Sequence, residues 1–161
     1  MTENHRYRKH LRLQSHDYSG NGFYFITICC RKFKPYFGEV IDDCMVLNEF
    51  GTVADKQWQA LPERFPQLKN HIHQIMPNHM HGILEISIDT KVQNIPISQI
   101  IGAYKSLTYK LCRELNNGSL EKIWQTNYYE HVIRNDKAFE KIYEYVETNP
   151  AQWDKDKYYM K

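Results

Sequence analysis

A chain of 161 residues, 42% hydrophobic and 25% charged, has the size and composition of one globular domain with a real core. A net charge of only +2 excludes a uniformly basic nucleic-acid coat, and no apolar run approaches the ~20 residues that span a bilayer, so no membrane partner is expected. The four cysteines, Cys29, Cys30, Cys44 and Cys112, form no CxxC pair and no zinc-finger spacing, and the N-terminus has no apolar stretch after its basic residues. Free thiols in a reducing cytoplasm are expected.

Charge is unevenly placed. Arg6, Arg8, Lys9 and Arg12 surround Tyr7 in a basic arm over residues 1–18, the kind of segment that tracks phosphates or remains a solvated tail. Ser19-Gly20-Asn21-Gly22 signals a turn. Phe23 to Cys30 is aromatic and β-branched and predicts a central strand, left through a second basic patch at Arg31, Lys32 and Lys34. Val40 to Leu47 predicts a short hairpin about Asp42-Asp43. Asn48 is placed to cap a helix to about Leu61, with Phe50, Val53, Ala54, Trp58 and Leu61 at helical spacing.

Leu68 to Met76 and His79 to Ile88 predict two further strands, separated by Pro77-Asn78. Ser98 is placed to cap a helix to about Asn116, with Ile100, Tyr104, Leu107, Leu111 and Leu115 on one stripe. Tyr128 to Ile133 predicts a short strand. Asn135 or Asp136 then caps a helix to about Thr148, ended by Pro150. The order β, hairpin, α, β, β, α, β, α predicts an α+β fold of ferredoxin-like type, an antiparallel sheet with two helices on one face and a third added.

His79 and His81 stand at i and i+2, so in a strand both imidazoles face one way and make half of a divalent-metal site. The last helix offers the other half. Its apolar stripe is Phe139, Ile142, Tyr143 and Val146, and Tyr145 and Asn149 lie four apart on the shoulder of that stripe. An amide oxygen from Asn149 beside two nitrogens suits a Mg²⁺- or Mn²⁺-type ion better than a closed zinc site. Tyr145 would be the nucleophile. His71-Ile72-His73 repeats the spacing of the histidine pair and reads as a half-exposed strand edge. Tyr128, Tyr129 and Tyr143 read as packing tyrosines, and His131 as a sheet-edge or DNA-facing residue.

Ordered stretches along nearly the whole chain carry a resemblance. They are Tyr18-Ser19 with Gly22-Phe23-Tyr24-Phe25-Ile26-Thr27-Ile28-Cys29, then Met76-Pro77-Asn78-His79-Met80-His81-Gly82, then Gly102-Ala103-Tyr104-Lys105-Ser106. Trp124-Gln125-Thr126-Asn127-Tyr128-Tyr129-Glu130-His131-Val132-Ile133-Arg134-Asn135 and Tyr145-Val146-Glu147-Thr148-Asn149-Pro150 complete them. Together they resemble the single-tyrosine HUH transposases of insertion sequences, and within these the REP-associated tyrosine transposases.

The resemblance implies one HUH domain over residues 1–161. His79 and His81 would be metal ligands, Asn149 the third, amide-bearing ligand, and Tyr145 the catalytic tyrosine. It implies cleavage and rejoining of single-stranded DNA next to a hairpin, through a 5′-phosphotyrosine, with Mg²⁺ or Mn²⁺ and no nucleotide cofactor. A cytoplasmic, nucleoid-associated monomer or homodimer is expected. DNA would be held by Arg6, Arg8, Lys9, Arg12, Arg31, Lys32, Lys34, Lys105 and Arg134, with Tyr7 or Trp124 stacking on unpaired bases. The alternatives are a hairpin DNA- or RNA-binding module that has lost its chemistry, and a metal phosphoesterase that uses water.

Overall fold

The computed structural model describes residues 21–88, 91 and 94–161. The arm with Arg6, Arg8, Lys9 and Arg12, and also Tyr7, Tyr18 and Ser19, lies outside the described residues. Strand β1 is Gly22–Cys29, followed by a 3-10 turn at Arg31–Phe33. The hairpin β2 (Gly38–Ile41) and β3 (Cys44–Leu47) leads into helices α1 (Glu49–Gln59) and α2 (Leu61–Arg64). Strands β4 (Leu68–Met76) and β5 (His79–Ile86) follow, then α3 (Ile97–Leu115), β6 (Tyr129–Ile133), α4 (Asp136–Thr148) and a 3-10 helix at Pro150–Lys155. No helix among the described residues is long and apolar enough to cross a membrane.

The main sheet is antiparallel in the order β4-β5-β1-β6, and β2-β3 stands apart as its own ladder. Asp42 and Asp43 both adopt positive φ, which is what a two-residue hairpin turn needs to match strand twist. Between β4 and β5, by contrast, Pro77-Asn78 turns with no positive φ, as a proline-led type I turn does.

The pleat sorts β5 into two sets. Met80 and Leu84 join the core that holds Ala54 and Trp58 of α1 and Ile100, Ile101 and Tyr104 of α3. Ile83 joins a second, smaller core with Phe23, Ile133 and Phe139, against which Ile142 and Tyr143 of α4 also pack. Helices α1 and α3 therefore cover one face and α4 the other, the expected two-plus-one arrangement. His79 and His81 share the parity of Ile83 and so lie on the α4 face.

Local expectations are corrected in several places. Ser98 is not the cap of α3; that position is Pro96, with no side-chain cap bond, and Ser98 lies in the first turn. The buried stripe of α3 is Ile100, Ile101, Tyr104, Thr108 and Cys112, and Leu115 is exposed. Tyr104 sets that rotation, because its hydroxyl donates to Ala54 O at 3.0 Å and its ring meets Trp58 edge-on at 5.2 Å. Small Thr108 and Cys112 then face inward.

His71 and His73 do not share a face. The register of β4 shifts between Asn70 and Ile72, so a bulge turns His71 toward Glu85 and Phe139, while His73 bonds Asp55 of α1. Trp124 is not exposed but core, at 6% exposure, packed between Phe37 and Tyr104. Tyr129, expected to pack, is instead 64% exposed.

Gly82, beside His81, is fixed by packing. A Cβ there would lie 2.5 Å from Trp58 Cζ2, and Trp58 is fully buried. Gly82→Ala is expected to destabilise the fold by about 1–3 kcal/mol through overpacking, read as a lower urea midpoint with unchanged slope. An unchanged midpoint would show that the indole can yield.

Candidate metal and tyrosine site

The site lies where the start of β5 meets the end of α4 and the chain that follows it. His79 and His81 are both buried. His79 Nδ1 is 2.8 Å from Asn78 Oδ1, and His81 Nδ1 is 2.8 Å from Thr27 Oγ1 across the β1–β5 pair. Asn78 donates its Nδ2 to Phe33 O at 3.2 Å and Tyr158 O at 2.7 Å, so its oxygen must be the atom that faces His79. His79 Nδ1 is then the protonated nitrogen, and Nε2 keeps its lone pair. Such an outer partner fixes tautomer and ring orientation in metal-ligating histidines.

Asn149 is 2% exposed and forms the C-cap of α4. Its Nδ2 donates to Asp156 Oδ2 at 2.6 Å. Asp156 Oδ1 in turn accepts from Tyr158 N at 2.8 Å. Tyr145, 39% exposed, places its hydroxyl 3.3 Å from His81 Nε2 and 3.4 Å from Asp156 Oδ2. Asp156 was not among the sequence candidates. It follows Pro150, which ends the helix, and only the 3-10 turn at Pro150–Lys155 returns it to the histidines. Thr27 and Asn78, which orient the imidazoles, sit inside the ordered stretches but carry no spacing signal of their own.

Two buried acceptors are left over. His79 Nε2 and Asn149 Oδ1 have no hydrogen-bond partner, although the Asn149 side chain lies against His79. Both atoms accept and neither donates, so no proton joins them. One ligand atom each from His79, His81 and Asp156 lies within 4.8 Å of the others. A divalent cation fits His79, His81 and Asp156, whose ligand atoms need only a small contraction to share it, and the orphaned Asn149 oxygen beside His79 is a further candidate. Asn149 and Asp156 add hard oxygens to the two nitrogens.

Burial lowers the His79 pKa to about 4, against a smaller opposing pull from Asp156 and Asn149. His81 is also pushed well down, by burial first and then by His79 and Lys157. Both imidazoles are therefore neutral, the form that binds a metal. The Tyr145 pKa is raised to about 12, by burial and then by the charge and hydrogen bond of Asp156.

The basic candidates lie elsewhere. Arg31, Lys32 and Lys34 line a surface cleft with Glu121 and Lys122, and Lys34 Nζ pairs with Glu121 at 3.0 Å. Phe33, in the same turn, stacks on Tyr158 at 5.9 Å, so this cleft abuts the site. Lys105 commits its ammonium to Gln125 O at 2.6 Å and Thr126 O at 3.1 Å, which ties α3 to the segment before β6. Arg134 is exposed just after β6.

No family model matches the chain. An uncharacterized protein of Haemophilus influenzae is 37% identical over 171 aligned positions, covering 96% of this chain and 94% of that one. A second Haemophilus influenzae protein, assigned by name to the REP-associated tyrosine transposases, is 26% identical over 141 positions, covering 84% and 74%. Among solved structures, a REP-associated tyrosine transposase bound to a REP hairpin superposes with a TM-score of 0.62 at 20% identity, covering 82% of this chain and 68% of that one. The fold is that of the HUH transposases, an antiparallel sheet with helices on both faces. In sequence and in fold the chain is similar to REP-associated tyrosine transposases.

Two measurements probe the site without requiring activity. In chelator, stability is expected to fall as pH drops from about 6.5 toward 4, because the unfolded chain takes up the proton that folded His79 resists. His79→Gln is expected to make that fall in melting temperature shallower, with the remainder due to His81, and an equally steep profile in the variant would assign the loss to other groups. Asn78→Ala is expected to weaken Mn²⁺ binding by about 10–100-fold in calorimetry, through loss of the bond that orients His79. Wild-type affinity in Asn78→Ala would contradict that role.

Proposed function

We propose that this protein is a metal-dependent endonuclease and strand transferase for single-stranded DNA, acting beside a hairpin through a 5′-phosphotyrosine. One observation carries the reading. The Tyr145 hydroxyl stands 3.3 Å from His81 Nε2, at the open rim of a pocket whose buried acceptors lack partners. The solved relative bound to a REP hairpin supports the choice of a hairpin-bearing strand.

His79, His81, Asn149 and Asp156 would hold the ion, which when bound supplies positive charge to a nonbridging oxygen of the scissile phosphate. Asp156 also accepts the Tyr145 hydrogen bond and so aims the phenol oxygen at the same place. Tyr145 would attack phosphorus in line. The phosphorus–tyrosine bond forms as the bond to the 3′ oxygen breaks, the phenol proton is released, and the leaving oxygen ends as a 3′-hydroxyl. With a pKa near 12 the phenol starts protonated, so it depends on nearby positive charge for activation. The number of phosphoester bonds is conserved, so another 3′-hydroxyl can attack the adduct and rejoin a strand. The half-exposure of Tyr145 leaves room for the strand to approach.

Arg31, Lys32, Lys34 and Arg134 would contact phosphates, as would the arm residues Arg6, Arg8, Lys9 and Arg12. Lys105 would contribute less, its donors being shared with backbone carbonyls. The residues proposed for the site all lie on one chain, which supports a reading in which a monomer can act.

The test is incubation with Mn²⁺ or Mg²⁺ and a single-stranded oligonucleotide bearing a hairpin. A covalent protein–DNA band is expected on a denaturing gel, absent with chelator and absent in Tyr145→Phe. An adduct that persists in Tyr145→Phe refutes the tyrosine, and cleavage without any adduct points to water as nucleophile. Asp156→Asn is expected to lower adduct yield at limiting Mn²⁺, with partial recovery at high Mn²⁺.

A further inference from the structure

Strand β6 is the outer edge of the main sheet, and its α4 face is covered over only part of its length. Phe23 pairs with Ile133, Phe25 with His131 and Thr27 with Tyr129, without a break in register. Ile133 is buried in the smaller core, which fixes the parity of the strand. His131 and Tyr129 therefore point to the same side as Ile133, and both are exposed. Residues on that side at an edge beyond a packed core usually turn polar. Here the outermost position is a tyrosine at 64% exposure, the most exposed large hydrophobic among the described residues.

The register also puts Tyr129 in line with the site. Thr27 pairs with His81 on one side and with Tyr129 on the other. His81, Thr27 and Tyr129 form one cross-strand row, and the Thr27–His81 hydrogen bond shows that the row faces the site. At about 4.8 Å between strands, Tyr129 Cα lies about 10 Å from His81 Cα. On the site side of the row, the Tyr158 ring covers His79 at 4.5 Å.

We infer that the β6 rim is a base-stacking platform, on which Tyr129, with His131 beside it, holds an unpaired nucleobase flanking the cleaved phosphate. The inference rests on the proposed single-strand activity and adds the contact that registers the strand on the site. A flat ring near a phosphate-binding centre, with water on its open face, meets the needs of stacking, which tolerates any base. Continuity of the row with the Thr27–His81 pair at the site favours a nucleic-acid strand over a second copy of the chain as the occupant.

The experiment measures affinity for a labelled hairpin oligonucleotide by fluorescence anisotropy, alongside adduct formation. Tyr129→Ala is expected to weaken binding about five- to hundredfold, the loss of one aromatic stack, whereas Tyr129→Phe keeps the affinity. An abasic site scanned through the positions flanking the cleavage point is expected to remove the Tyr129→Ala effect at one of them. Circular dichroism checks folding, and Tyr129→Thr, which keeps β propensity, replaces the alanine variant if that one unfolds. Equal affinity in Tyr129→Ala, or a defect that survives every abasic substitution, overturns the inference. So does a change confined to oligomeric state, which would make the edge a contact between chains. If wild-type protein forms no adduct at all, the proposed activity fails, and the anisotropy still reports on Tyr129.

Discussion

The pairing of β1 with β5 is the constraint on which the site depends. It sets Thr27 opposite His81 and Cys29 opposite His79, in the middle of a sheet buried on both faces. Every side chain of β5 is therefore committed. Met80, Gly82 and Leu84 face α1 and α3, where Gly82 admits the Trp58 indole. His79 and His81 face α4 and cannot turn away without reversing that packing. A slip of one residue would put the imidazoles in the larger core and Met80 in the site.

Burial then decides the electrostatics. Neutral imidazoles cost little to bury once Asn78 and Thr27 satisfy their Nδ1 atoms, but His79 Nε2 keeps an unpartnered lone pair. Adding Asn149 Oδ1 and Asp156 concentrates acceptors where few donors exist. Low dielectric makes such a cluster unfavourable by itself and strongly attractive to a cation. The same Asp156 raises the Tyr145 pKa, so the environment that draws in positive charge also holds the phenol protonated until that charge arrives.

Much of the architecture is legible in the sequence because it follows local rules. Asn48 and Asn135 cap their helices through bonds from Gly51 N and Ala138 N, as their positions predict. The Asp42-Asp43 turn, the Pro77-Asn78 turn and the alternation along β5 need no tertiary information. The failures are instructive. The expected stripe of α3 held at Ile100 and Tyr104 but passed to Thr108 and Cys112 in place of Leu107, Leu111 and Leu115, because the anchored Tyr104 ring fixes the rotation and the leucines can stay half-exposed. The spacing of His71 and His73 matches that of His79 and His81, yet a single bulged residue sends the first two to opposite faces. Trp124 and Tyr129 exchanged expected places, since aromatic character alone does not say which side of a sheet edge is covered.

The sequence by itself determined the order of strands and helices, the shared face of His79 and His81, and the four-residue step from Tyr145 to Asn149. Periodicity and capping are properties of neighbours in the chain. Only the tertiary structure decided that α4 lies over the histidines and that Asp156 returns to join them. It alone left Tyr129 open on the rim. Those outcomes depend on packing between segments far apart in sequence, where the winning contact is set by shape and burial rather than by spacing.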